Sequence, residues 1–178
     1  MTGVYVILAV LILIGAGMYY VYNQLVSRRI RCQEQWNQVT ARLKRRYDVV
    51  PNLVDLMRES AAHETLLLEQ VEQARNAAIL AKGVRNRQEA EDNFSYQIRR
   101  LMETAQKYPN LRTSPDFTRL KEELTSAENQ IIYAVEQYND TVREYNEQLD
   151  RLPHKYIAAI LKFRKMATFL MDKPDHTL

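Results

Sequence analysis

Residues 4–39 read VYVILAVLILIGAGMYYVYNQLVSRRIRCQEQWNQV, and the change of character within this stretch decides the fold. From Met1 to Ser27 there is no Asp, Glu, Lys or Arg, and Val4 to Val26 is apolar apart from Asn23 and Gln24. At ~1.5 Å of rise per residue, such a helix crosses a hydrocarbon core of ~30 Å. Tyr5 stands near one end and Tyr19, Tyr20 and Tyr22 near the other, where amphipathic rings favour the headgroup zone. A cleaved signal peptide would need a positive n-region and a shorter apolar core ending at small residues, a pattern this stretch does not have. The expectation is a transmembrane anchor over residues 1–27.

Arg28, Arg29 and Arg31 follow the apolar run at once, and nothing basic precedes it. The positive-inside rule then places the N-terminus outside and the larger C-terminal part in the cytoplasm. The same arginines would meet anionic headgroups of that leaflet, each contributing on the order of 1 kcal/mol. Gly15 and Gly17 lack the four-residue spacing of closely packed membrane helices.

Beyond the anchor the chain is poor in turn residues. Gly83 is the only glycine after Gly17, and the five prolines stand at 51, 109, 115, 153 and 174. Helix formers fill the intervals, so long uninterrupted helices are expected. The first continues from the anchor through Trp36, Val39, Leu43, Tyr47 and Val50, at spacings of three and four. Pro51 should stop or kink it and open a second helix bearing Leu53, Met57, Ser60, Glu64, Leu67, Val71, Ala74 and Ala78. Lys82-Gly83 ends that helix as a cation and a C′-type glycine. A third runs over about 86–107, with Phe94, Ile98, Leu101 and Ala105 inward. Ser114-Pro115-Asp116 then reads as cap, first-turn proline and first-turn acid, starting a fourth helix that ends at Leu152-Pro153. Sustained three-four alternation with short breaks predicts an all-α antiparallel bundle of four main helices over residues 28–173, with 174–178 as a tail.

The segment from Pro153 to Lys173 mixes Ile157, Ile160, Leu161, Phe163, Met166, Phe169 and Leu170 with Lys155, Lys162, Arg164, Lys165 and Lys173. It reads as a C-terminal amphipathic helix. Two placements stay open, in the membrane interface or packed on the bundle as a further core helix.

Several blocks, in order, resemble one family. They are Tyr22-Asn23-Gln24-Leu25-Val26, Trp36, Leu43-Lys44-Arg45-Arg46-Tyr47-Asp48 and Pro51-Asn52-Leu53-Val54. Ala62-His63-Glu64, Ala74-Arg75, Tyr108-Pro109-Asn110-Leu111, Ala127-Glu128-Asn129, Tyr138-Asn139-Asp140 and Tyr145-Asn146 continue the series. Together they resemble the LemA family over about residues 20–165. The resemblance implies a single-span protein with a cytoplasmic helical bundle, in a bacterial inner membrane or an organelle membrane derived from it. The family includes a magnetosome-membrane protein, so organising a membrane is a role it allows. Gln130 and Leu152 depart from the family pattern, which usually has arginine and phenylalanine at these places.

Candidate sites follow from charge and spacing. Arg28, Arg29, Arg31, Lys162, Arg164 and Lys165 are the membrane-proximal basic residues. Of Lys44, Arg45 and Arg46, at least one must lie near the apolar seam, since Leu43 and Tyr47 share that face; pairing with Glu64 or Glu128 is the preferred reading. Trp36, Asn52, Asn129, Tyr138, Asn139 and Tyr145 complete a seam that sets register or receives a partner helix. His63, His154 and His176 are scattered, and His63-Glu64 lacks the second histidine of a zinc-hydrolase helix. A single cysteine, Cys32, excludes an intrachain disulfide, and no phosphate loop or nucleophile elbow is present. A net charge of +3 with no recognition module argues against nucleic acid. The expected function is non-enzymatic and needs no metal or cofactor: a scaffold that recruits protein partners or self-associates at the membrane, or alternatively a membrane-remodelling protein.

Overall fold

The computed structural model describes residues 2–61, 63–152 and 154–171, so the expected tail at 174–178 lies outside the described residues. Among the described residues every regular element is a helix: α1 (Thr2–Ser60), α2 (Thr65–Leu80), α3 (Val84–Ala105), α4 (Pro109–Arg112), α5 (Pro115–Asp150) and α6 (His154–Ile160). The chain divides into two compact units. One is made by the chain up to Trp36 with Tyr138–Thr168, the other by Asn37–Gln137 with the described residues from Phe169.

α1 contains one stretch long and apolar enough to cross a membrane. Its large side chains from Val4 to Ile14 are exposed. A core helix of a water-soluble protein would bury such a surface, whereas a bilayer solvates it.

The first unit pairs α1 with α5 in antiparallel register. Arg28 Nη1 lies 3.6 Å from Glu144 Oε2, the Cys32 thiol donates to the Thr141 carbonyl at 3.5 Å, and Trp36 stacks obliquely on Tyr138 with centroids 5.2 Å apart. α5 starts as its sequence requires. Ser114 Oγ accepts from the Phe117 amide at 3.4 Å, Pro115 takes the first position and Asp116 the first turn.

In the second unit, α1 and α5 keep this antiparallel sense, with Arg42 donating to Gln130 at 2.9 Å. α2 returns along α1, tied by Arg58 to Glu72 at 3.0 Å, and α3 returns along α2, tied by Arg100 to Gln70 at 2.9 Å. The core is the set the periodicity marks: Val39, Leu43, Val50, Leu53 and Met57 from α1, Val71, Ala74 and Ala78 from α2, Phe94, Ile98 and Leu101 from α3, and Leu124, Ala127 and Ile131 from α5.

Two boundaries differ from expectation. Pro51 neither stops α1 nor opens a new helix; it lies inside α1, which runs on to Ser60. A proline there cannot donate to the carbonyl of Tyr47, one turn back. Arg75 Nε supplies the missing donor, reaching the Tyr47 carbonyl at 2.6 Å. The break falls instead at the link before α2, where Tyr108 donates to Glu64 Oε1 at 3.1 Å. Gly83, at φ +82°, is the N-cap of α3, and Arg87 donates to the free Ala81 carbonyl at the end of α2.

The expected C-terminal helix is confined to His154–Ile160. Lys162 adopts φ +57°, and the Phe163 amide bonds back to the Ala158 carbonyl at 2.9 Å. This is the six-to-one closure that normally places glycine in the left-handed position. From Phe163 to Met171 the chain is a non-helical strap.

Candidate functional site

The strap is fastened by side chains that reach its main chain. Asn146 Oδ1 accepts from the Met166 amide and Nδ2 donates to the Met166 carbonyl, both at 2.9 Å. Tyr138 donates to the Ala167 carbonyl at 2.8 Å and Tyr145 to that of Arg164 at 3.3 Å. Seven residues separate the two tyrosines, so α5 presents both from one face beside Asn146. Burial pushes the Tyr138 hydroxyl up to about 12, with a smaller effect of Cys32, and burial also raises Tyr145. Both hydroxyls therefore stay protonated donors. Cys32, buried in the same unit, has its thiol pushed up chiefly by burial, the opposite of a reactive cysteine.

The basic residues expected near the membrane all belong to the same unit as this clamp. Arg28 is half-buried, while Arg29, Arg31, Lys162, Arg164 and Lys165 are exposed. The structure brings Arg29 together with Lys162, Arg164 and Lys165 around a cavity of about 450 Å³. Lys165 Nζ also meets Asp150 at 2.8 Å. α6 is joined to the end of the apolar stretch by His154 Nε2, 2.6 Å from Gln24 Oε1, and Phe163 packs edge-on to Tyr22.

In the second unit, Arg46 is the arginine at the seam, with 1% of its side chain exposed; Lys44 and Arg45 face outward. Its direct ion-pair partner is Glu91, which is 0% exposed, rather than Glu64; Glu128 feels its charge without bonding to it. Glu91 accepts from both Arg46 and Tyr47, Ser95 accepts from Arg46 at 3.0 Å, and the guanidinium lies 4.9 Å over the Phe94 ring. Burial first, then Glu91, drive the Tyr47 hydroxyl far above its ordinary range. Glu128 is half-buried; burial raises its carboxyl while Arg46 and Arg99 pull it down. Glu91 stands three residues before Phe94 and so continues the apolar stripe of α3. A carboxylate in that phase was the signal that a buried cation must face it.

The remaining seam candidates separate. Trp36 and Asn139 are half-buried, Tyr47, Tyr138 and Tyr145 buried, and Arg45, Asn52 and Asn129 exposed. Exposed amides cannot fix core register, so that half of the expectation is corrected for Asn52 and Asn129. Asn146 does fix a tertiary contact, to the main chain of Met166. Among the described residues, no group of three or more His, Cys, Asp or Glu is placed to hold a metal ion.

Fold and site together define a membrane-associated helical protein whose polar clusters hold chain segments in place. The chain belongs to the LemA family, which its residues 35–177 match. It is also similar to two proteins of Paramagnetospirillum magneticum, magnetosome protein MamQ 1 and magnetosome protein MamQ 2. Each is 27% identical over 85 residues, which is 48% of this chain and 31% of the relative. The match thus spans about a third of the length of these curated relatives.

Proposed function

We propose that this protein is a single-pass scaffold of the LemA type that presents its helical bundle at the cytoplasmic face of a bacterial inner membrane. The observation that carries the reading is α1 itself. Its apolar first part exposes large side chains from Val4 to Ile14, and the same helix goes on to bury Val39, Leu43 and Tyr47 in a packed core. The arginines at 28, 29 and 31 favour the orientation with the N-terminus outside. Outward-facing Arg45, Asn52 and Asn129 are offered as the surface for protein partners or for a second copy. Reporter fusions at both ends and in-cell cross-linking test this. A cytoplasmic N-terminus, or full-length protein that stays monomeric in detergent and captures no partner, refutes it.

A second reading, organisation or remodelling of the membrane itself, is favoured by the basic residues gathered beside α6. The name shared by the two magnetosome relatives is compatible with it. Full-length protein reconstituted into anionic liposomes should change vesicle size or shape, and the Lys162→Glu, Arg164→Glu, Lys165→Glu variant should not. Equal deformation by both would exclude this reading.

A further inference from the structure

A cavity opens between α1 and the strap. Its walls include Arg29, Ile30 and Gln33 of α1, Lys162 just before the strap, and Arg164 and Lys165 at its start. Four cations from two separate segments face one concavity, and among the described residues no carboxylate belongs to its walls. Asp150 engages Lys165, while Arg29, Lys162 and Arg164 bring three further positive charges. We propose that this cavity binds the phosphate of an anionic phospholipid headgroup.

Three observations favour a lipid over a soluble anion. The first is depth. Arg29 to Gln33 lie two to six residues past Ser27, about 3–9 Å further along the helix axis, which is where headgroups begin if residues 1–27 span the bilayer. The second is an exposed apolar row in and just before α6, the helix that leads into Lys162. Leu152, Tyr156 and Ile160 are four apart, and they are 69%, 67% and 67% exposed. The third is where that row sits. The Gln24–His154 hydrogen bond and the Tyr22–Phe163 ring contact hold α6 against the end of the apolar stretch. An exposed apolar row flanked by cations at the end of a membrane helix suits the interface, where apolar side chains enter the acyl boundary and cations meet phosphate. A soluble phosphate would need the cations but not the row. The site rests on the reading that α1 is membrane-embedded.

The test uses the full chain in phosphatidylcholine nanodiscs containing a minor fraction of spin-labelled phosphatidylglycerol. The fraction of immobilised label measures binding. Preference for phosphatidylglycerol over labelled phosphatidylcholine is expected, falling by about fivefold for each cation removed in Arg29→Gln, Arg164→Gln and Lys162→Gly. The glycine variant separates charge from folding, because glycine accepts the left-handed conformation at 162 more readily than lysine does. Absence of preference, or an equal loss in Lys155→Gln, whose side chain is outside the walls, overturns the site. Titration of detergent-solubilised protein with inorganic phosphate and with dihexanoyl-phosphatidylglycerol supplies the second arm. Phosphate binding as tightly as the lipid assigns the cavity to a soluble anion and overturns the proposal. Alkaline carbonate extraction separates the two levels. Protein that stays in the membrane without lipid preference refutes the headgroup site alone, whereas released protein refutes the anchor.

Discussion

The proline inside α1 makes a testable energetic claim. An interior proline removes one backbone hydrogen bond and costs ~3 kcal/mol or more, chiefly by leaving a carbonyl without its donor and crowding it. At Pro51 the carbonyl concerned is that of Tyr47, and Arg75 Nε reaches it at 2.6 Å. Replacing Arg75 by Met keeps the aliphatic stem and removes the donor. In the native background this should cost about 1.5–3 kcal/mol, the range for a hydrogen bond to a charged group. In a Pro51→Ala background the new amide of residue 51 can bond to the same carbonyl, so Arg75→Met should cost about 1 kcal/mol or less. The coupling expected between the sites is therefore about 1–2 kcal/mol, well above the ~0.5 kcal/mol scatter of independent sites. Urea unfolding of the full chain in mild detergent, followed by far-UV circular dichroism, measures all four corners of the cycle. If Arg75→Met costs the same in both backgrounds, the guanidinium is not the substitute donor.

Three further outcomes are expected. Glu91→Leu strands the buried Arg46 guanidinium and should cost about 3–5 kcal/mol in the same unfolding assay, with part recovered in the Arg46→Leu, Glu91→Leu double variant; an additive double variant would contradict the pairing. Glu128, raised above the ordinary 4.5 by burial, binds its proton more tightly in the fold than in the unfolded chain. Stability should therefore fall as pH rises from that value through the raised one, and Glu128→Gln should flatten the slope and stabilise at neutral pH; an unchanged pH profile would remove Glu128 as its source. Asn146→Asp sets a carboxylate oxygen against the Met166 carbonyl, and the strap should loosen by about 1–3 kcal/mol. Trypsin should then cut at Lys162, Arg164 and Lys165 faster than in the native chain, and unchanged cleavage would mean that Asn146 does not hold the strap.

How much was legible in the sequence depended on the range of the physics involved. The apolar stretch and the buried faces of α1, α3 and α5 are local periodicities, and Leu43, Phe94, Leu124 and Tyr138 are buried as their spacing requires. The passage of α1 through Pro51 was not legible, because the compensating donor sits 24 residues downstream on another helix. Nor was the helix break before α2, where neither glycine nor proline marks the turn. The strap misled for the opposite reason. Its apolar spacing suits a helix, but Lys162 takes a conformation usually left to glycine, and the segment is held by tertiary bonds from α5. Charge alone showed that an arginine near Leu43 needed a partner. Which carboxylate served it became evident only from the phase of Glu91 on α3.

The fastening of the strap also has an evolutionary consequence. Tyr138, Tyr145 and Asn146 grip amides and carbonyls, so the grip at residues 164–167 does not depend on which side chains the strap carries. Arg164, Lys165 and Met166 can be exchanged one at a time without surrendering the attachment, provided no proline removes the amide of residue 166. Such a segment can drift in charge and size while its path stays fixed. That lets descendants of the gene retune what faces the cavity without rebuilding the helices around it.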